Sequence, residues 1–502
     1  MSDAARRRLA GERRFLDWSD APRRCLMAYP SPYHVGMSAL GYQQIYRSVL
    51  AEPGWTAVRA FNDVDDGGPG DRPFVYELGG SMDRPDVIAF SVSYELEIAG
   101  VIQMLTRLGL EPLRRERRSD DPPVVIGGPL TFSNPTPLLP YCDVLICGEG
   151  EALIGPVLRV IDQQPKARWS DLLNSLEGVV LPGDGSNPEA LPVAKSPHHL
   201  LPARSAIVAK ETELREMFLI EPERGCSRQC SYCVMRRSTN GGMRRLAADH
   251  VLSLVPEGVK RVGLVGAAVT DHIELPQILE ALVARDIGVG ISSLRADRLK
   301  PHLLELLRAA GYKSLTIGLD GASPRLRRLV ERKSEDLHVE RVARDGKAVG
   351  FMQMKVYMVL GLPTETDEDI EILAQEMTEL SAILPVALGL AILVPKRNTP
   401  LYSAPFIGIR ESERRLKRLR RALKGRASPR PVSTRWAWVE AVLARGGVAV
   451  GEAVLRAERA GGRFANYRRE FESLGYFPDG RVGEDCAPMG TDGGTAYQNP
   501  VT

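Results

Sequence analysis

Short apolar runs alternate with stretches of helical periodicity along most of this chain, in two successive series, and that alternation confines it to β/α architectures. Strand candidates of the first series fall at residues 25–29, 56–61, 86–91, 124–128 and 143–148. They read as an open, mostly parallel, doubly wound (Rossmann-like) sheet. In such sheets a ligand sits beyond the C-terminal ends of the strands. Here those ends carry Ser91, Gly127-Gly128 and Glu149-Gly150. The second series has strand candidates at 217–221, 262–265, 289–292, 314–318, 355–359 and 387–394, separated by helical stretches that include 301–310 and 367–380. This is the pattern of a partial (β/α)6 TIM-like barrel, whose chemistry lies at the strand C-termini.

The expected organisation is therefore a polar N-terminal extension (1–20), a first α/β domain (21–165), a Pro-containing linker (166–215), the barrel (216–405), a mostly helical C-terminal region (406–475) and a Gly-rich disordered tail (476–502). With 502 residues, 44% of them hydrophobic, each domain can bury its own core. Lys and Arg total 66 against 63 acidic residues, so bulk charge does not point to a polyanionic partner. No run of about 20 apolar residues is available to span a bilayer, and the arginines of the N-terminus are not followed by an apolar signal region. A cytoplasmic location is expected. Residues 410–426 hold nine Lys/Arg and two Glu, with Leu416, Leu419 and Leu423 at helical spacing. This reads as a helix docked through its leucines with a solvated basic face, the alternative being a nucleic-acid or phosphate contact.

The seven cysteines are unevenly spread: Cys226, Cys230 and Cys233 fall within eight residues, and Cys25, Cys142, Cys147 and Cys486 are dispersed. An odd count with one tight group does not suit a disulfide framework and favours a metal or cluster site in a reducing compartment. Three thiolates at CxxxCxxC spacing can hold three corners of a [4Fe–4S] cubane and leave one iron open. Zinc would need a fourth ligand, and the nearest downstream histidine, His250, is about a helix away.

CxxxCxxC with an aromatic, Tyr232, before the last cysteine resembles the signature of the radical S-adenosylmethionine (SAM) superfamily. The resemblance extends through Val262-Gly263-Leu264-Val265-Gly266, Ser292-Ser293-Leu294-Arg295-Ala296-Asp297, Thr316-Ile317-Gly318-Leu319-Asp320, residues 355–365 and Pro395-Lys396-Arg397-Asn398-Thr399-Pro400. These segments look like the subgroup preceded by a B12 (cobalamin)-binding domain. The resemblance implies that SAM chelates the open iron, and that an electron from the reduced cluster cleaves SAM to a 5′-deoxyadenosyl radical. It implies SAM contacts at Tyr232, Gly266, Ser292, Ser293, Arg295, Asp320, Gly361 and Pro395. The usual Gly-Gly-Glu is replaced by Gly266-Ala267-Ala268, and Asp320 stands where Glu is usual. Arg295 would face the SAM carboxylate or, alternatively, pair with Asp297. Gly361 would pass close to the adenine, while Thr364, Thr366 and Asp367 cap the following helix.

In the first domain, Ser91, Gly127, Gly128, Glu149 and Gly150 match cobalamin-binding positions, where small residues line a slot for the nucleotide tail. No Asp-x-His-x-x-Gly occurs, and the flanks of His34 do not match a cobalt ligand. The resemblance implies methylation of an unactivated centre, one SAM supplying the methyl group through cobalamin and a second the radical. Cyclisation, isomerisation or sulfur chemistry without methyl transfer is the rival. A structural Fe–S or zinc protein that binds nucleic acid is a further alternative. Expected partners are a small-molecule or peptide substrate and a reductant such as a flavodoxin or ferredoxin.

Overall fold

The computed structural model describes residues 2–65, 71–183, 193–235, 242–292 and 294–483. The chain divides into two compact units, residues 1–220 with 446–470, and residues 221–445 with 471–502.

The first unit opens with the helix Asp3–Ala10, whose Ser2 cap accepts from the Ala5 amide at 3.1 Å. A two-residue strand, Arg13–Arg14 (β1), follows. The main sheet uses Arg23–Tyr29 (β2), Trp55–Phe61 (β3), Val87–Ser91 (β4), Val124–Gly127 (β5), Val144–Ile146 (β6) and Val179–Val180 (β7). Its order is β3-β2-β4-β5-β6-β7, parallel throughout except for the antiparallel edge strand β7. Every residue of β3 is buried, as expected for a strand covered on both faces. Strand order reverses between β2 and β4, which sets the switch point of the doubly wound sheet. Ile207–Val208 (β8) pairs with β1, and Phe218–Ile220 (β9) ends this stretch of chain.

Two expectations for this unit are changed by the fold. Residues 166–215 are not only a connection, because they contain the helix Trp169–Leu173, β7 and β8. Strands of two residues leave no periodicity to detect. Residues 1–20 are not peripheral either. Glu12 closes on the buried Arg59 at 2.8 Å, and Arg8 on Asp63 at 3.1 Å. The helix Val448–Arg459 also belongs here: Gly451 lies against the Pro137 carbonyl, and the Tyr141 hydroxyl donates to the Gly451 carbonyl at 2.6 Å. The expected C-terminal helical region is thus divided between the two units.

The second unit begins with Glu223–Gly225 (β10), paired antiparallel with Met243–Arg245 (β11). Arg261–Leu264 (β12) and Gly288–Ile291 (β13) pair in parallel. Ser314–Gly318 (β14), Gln353–Leu360 (β15), Val386–Ile392 (β16) and Ser428–Pro431 (β17) form a second parallel run. A parallel bridge between Leu294 and Ile317 joins the two. Burial alternates along β15 and β16, so one face is committed to the core. The strand β17 was not foreseen, since Pro429 and Pro431 argue against an interior strand. An edge position tolerates both.

The basic helix Ile409–Leu423 buries Leu416, Leu419 and Leu423. Its arginines grip the helix Asp367–Ile383: Arg414 binds Asp367 at 2.7 Å, and Arg418 binds Glu371 at 2.8 Å. The docked-helix reading accounts for these charges. The tail is described as far as residue 483, with an antiparallel bridge between Tyr476 and Val482; residues 484–502, including Cys486, lie outside the described residues.

Candidate active site

The β10–β11 pair forms the base of the cysteine loop, and Gly225 turns the chain into it at φ +98°. Cys230 is 6% exposed, while Cys226 and Cys233 are half-buried. All three thiols line one pocket with Arg228, Tyr232, Ala267, Ala268, Arg295 and Arg332. Burial pushes the Cys226 and Cys233 thiols up, so loading a metal group there must expel protons.

The donor set fits a [4Fe–4S] cluster. The described lining of the pocket supplies three thiols and no imidazole or carboxylate. Among the described residues, no three His, Cys, Asp or Glu side chains close on one point as a single ion requires. A cubane instead takes each thiolate at a different iron.

Two charge networks hold the loop. Arg228, from within the cysteine motif, makes a bidentate contact with Asp271 at 2.8 and 2.7 Å. Asp271 also receives Arg298 at 3.0 Å and stands 3.6 Å from Arg295. Burial alone would raise the Asp271 carboxyl, but Arg228 and then Arg295 and Arg298 hold it below the usual range. On the other side, the Tyr232 hydroxyl donates to Asp320 at 2.8 Å, and Asp320 pairs with Arg332 at 3.1 Å.

Of the residues read as SAM contacts, Tyr232 and Arg295 line the cysteine pocket. Arg295 donates to Asp297 at 2.8 Å, the pairing foreseen as its alternative. Asp320 follows β14 at φ +61°. Gly266 follows β12 and is pressed against Glu223: a Cβ there would stand 2.3 Å from Oε1. Ser292 is exposed, and Ser293 lies outside the described residues. Gly361, at φ +85°, donates its amide to Glu365 at 2.8 Å, and Pro395 is buried after β16. Thr366 and Asp369 form a capping box at the next helix.

In the first unit, Ser91 and Gly127 are register partners at the sheet's C-terminal edge. Both are half-buried. Gly128, at φ +106°, is needed by the fold itself, since a Cβ would meet the Val92 carbonyl oxygen at 2.6 Å. The Glu149 carboxylate accepts from the Ser196 amide at 2.8 Å, and Gly150 packs beside Ile45. His34 is half exposed and 3.5 Å from Glu213.

Glu223, Arg228, Asp271 and Arg332 were not singled out from sequence. Arg228 is the one with a local signal, a charge inside the cysteine motif. Glu223 is fully buried, accepts from the Ala268 amide at 2.9 Å through Oε1, and has no hydrogen-bond partner for Oε2 among the described residues. Burial pushes its carboxyl up to about 8.

Known proteins resemble this chain in sequence and in fold. Residues 41–182 match the family model "Radical SAM proteins, N-terminal", and residues 220–377 match "Radical SAM superfamily". An uncharacterized protein of Methanocaldococcus jannaschii is 27% identical over 353 residues, 68% of this chain and 72% of that protein. The ribosomal protein uS12 methylthiotransferase RimO of Geotalea uraniireducens is 31% identical over 163 residues, 29% of this chain and only 36% of its own length. Among solved structures, the radical SAM methyltransferase TsrM of Kitasatospora setae, with cobalamin and a [4Fe–4S] cluster bound, has a TM-score of 0.54 at 16% identity. That match covers 76% of this chain and 77% of TsrM. The cobalamin-dependent SAM radical enzyme OxsB has a TM-score of 0.50 at 13% identity, over 81% of this chain and 57% of OxsB. At these identities the likeness is one of fold. The chain belongs to the radical SAM superfamily, as an enzyme whose cysteine-bearing unit is preceded by a doubly wound domain matching the N-terminal model of radical SAM proteins.

Proposed function

We propose that this enzyme methylates an unactivated centre of a small-molecule or peptide substrate, using a [4Fe–4S] cluster, SAM and cobalamin. The observation that carries the reading is the likeness of fold to a cobalamin-containing radical SAM methyltransferase over about three quarters of both chains. When bound, the cluster and SAM supply a 5′-deoxyadenosyl radical, and cobalamin supplies methyl transfer. The chain's own residues do the rest. Cys226, Cys230 and Cys233 hold three irons as thiolates. Arg228 and Arg295 bring positive charge to the pocket wall, where a SAM carboxylate gains charge-assisted hydrogen bonds. Ala267 and Ala268 keep that wall small, and Glu223 fixes the Ala268 amide behind it. In the first unit, Ser91 and Gly127 leave room at the strand ends for a nucleotide tail. No His falls among the five tail-site positions.

A second reading, methylthio transfer, is favoured by the 31% identity to RimO over 163 residues, though that match spans about a third of the relative. The two differ in what must bind. Anaerobically reconstituted protein is expected to carry four irons per chain and to turn SAM into 5′-deoxyadenosine under reductant. Cys230→Ala is expected to lose that turnover entirely, and retention of it would overturn the cluster assignment. Cobalamin uptake, followed by visible absorption, separates the readings: no binding at saturating cobalamin sinks methyl transfer through it.

A further inference from the structure

The Arg332 guanidinium sits outside the cysteine motif in sequence and is held against it in space. Nη1 lies 3.9 Å from Cys230 Sγ, within reach of an N–H···S hydrogen bond. Nη2 donates to the Gly318 carbonyl at 2.8 Å, and Nε, without a hydrogen-bond partner among the described residues, stands 3.1 Å from Asp320 Oδ2 as an ion pair. Tyr232, two residues beyond Cys230, holds the same carboxylate oxygen with its hydroxyl. A Cβ at Gly318 would stand 2.9 Å from Arg332 Nη2 and 3.1 Å from Asp320 Oδ2, so the bare backbone at this strand end makes room for both side chains. The Arg332 side chain is 14% exposed. The fork is cationic at all working pH values.

We propose that Arg332 sets the reduction potential of the cluster by donating a charge-assisted hydrogen bond to the Cys230 sulfur. This rests on the assignment of Cys226, Cys230 and Cys233 as cluster ligands. Reduction adds one electron, taken from an external reductant, and places part of the added charge on the thiolate sulfurs. A cationic N–H at one sulfur stabilises that charge and raises the potential. Asp320 is the positioning residue, because it aims the fork and partly offsets its charge. The competing role for the same guanidinium is anchoring the SAM carboxylate. That role leaves the SAM-free potential untouched.

The test is an EPR-monitored redox titration of the full chain, reconstituted anaerobically, with dithionite as reductant and no SAM present. Four irons per chain and a reducible cluster in the wild type support the ligand assignment; their absence defeats that assignment and the role of Arg332 with it, whereas an altered or unaltered potential in the variants bears on Arg332 alone. Arg332→Met is expected to keep four irons and to lower the reduced-to-oxidised ratio at fixed potential about tenfold, about 59 mV for one electron. Arg332→Lys keeps the charge without the fork, so its shift has the same sign and is smaller. An unchanged potential in Arg332→Met overturns the proposal, and unchanged potential with weakened SAM binding assigns Arg332 to SAM instead. If Arg332→Met does not take up four irons, the Arg332→Lys cluster decides: a potential equal to that of the wild type overturns the proposal.

Discussion

The two units run the same β/α alternation but treat their strand ends in opposite ways. In the first unit, several residues just beyond the strands serve the backbone itself. Gly128 admits the Val92 backbone, Gly148 admits Ala194, and Glu149 ties down Ser196. The same unit's Arg59, 1% exposed, meets Glu12 at 2.8 Å and Glu77 at 2.6 Å, both carboxylates being buried with it. In the second unit, three thiols, Arg295 and Arg332 face a shared pocket, and Glu223 keeps one oxygen without a hydrogen bond among the described residues. Buried charge that is fully paired is architecture, whereas charge and thiol directed at a common pocket is where chemistry is expected.

The largest effect that tests this contrast is at Arg59. Arg59→Met leaves Glu12 and Glu77 buried together, and should destabilise the first unit by about 3–5 kcal/mol. Iron content per folded chain should not change. Urea unfolding together with an iron assay checks this, and a loss of under 1 kcal/mol would show the pair to be solvated.

Glu223 sharpens the other side. Its folded carboxyl titrates near 8, above the unfolded value, so the folded state keeps a proton that the unfolded state releases. Wild-type stability should therefore fall as pH rises from about 5 to about 8. Glu223→Gln keeps the acceptor for the Ala268 amide and removes the titration. The two proteins should match at pH 5, with the variant ahead by roughly 3 kcal/mol at pH 8. Parallel urea midpoints across that range would refute it.

A smaller effect is expected at Gly128. Gly128→Ala adds a Cβ in a left-handed conformation against the Val92 backbone. We expect a loss of about 2 kcal/mol in thermal or urea stability. Reconstituted Gly128→Ala should still form 5′-deoxyadenosine at the wild-type rate, and a selective loss of that activity with intact stability would contradict a structural role.

Much of the fold was legible because parallel strands are written as short runs that are continuously apolar or alternate in burial: β2 to β6 and β12 to β16 coincide with the strand candidates. Other elements had no such signature. The pairs β1–β8 and β10–β11 are two and three residues long, and β17 carries two prolines that only an edge position admits. The helix Val448–Arg459 gives no sign in its own periodicity that it packs with residues more than 300 positions earlier.

The site divides in the same way. Cys226, Cys230 and Cys233 are legible because three cluster ligands come from one loop, so their spacing is itself the geometry. Arg332 is about a hundred residues from Cys230, and Asp271 more than forty from Arg228; nothing local links either pair. The sequence by itself determined the β/α alternation and the three-thiol loop, because periodicity and short-range spacing are properties of neighbouring residues. Only the tertiary structure decided which charges meet those thiols and which glycines serve the backbone, because burial and hydrogen bonding depend on segments that folding alone brings together.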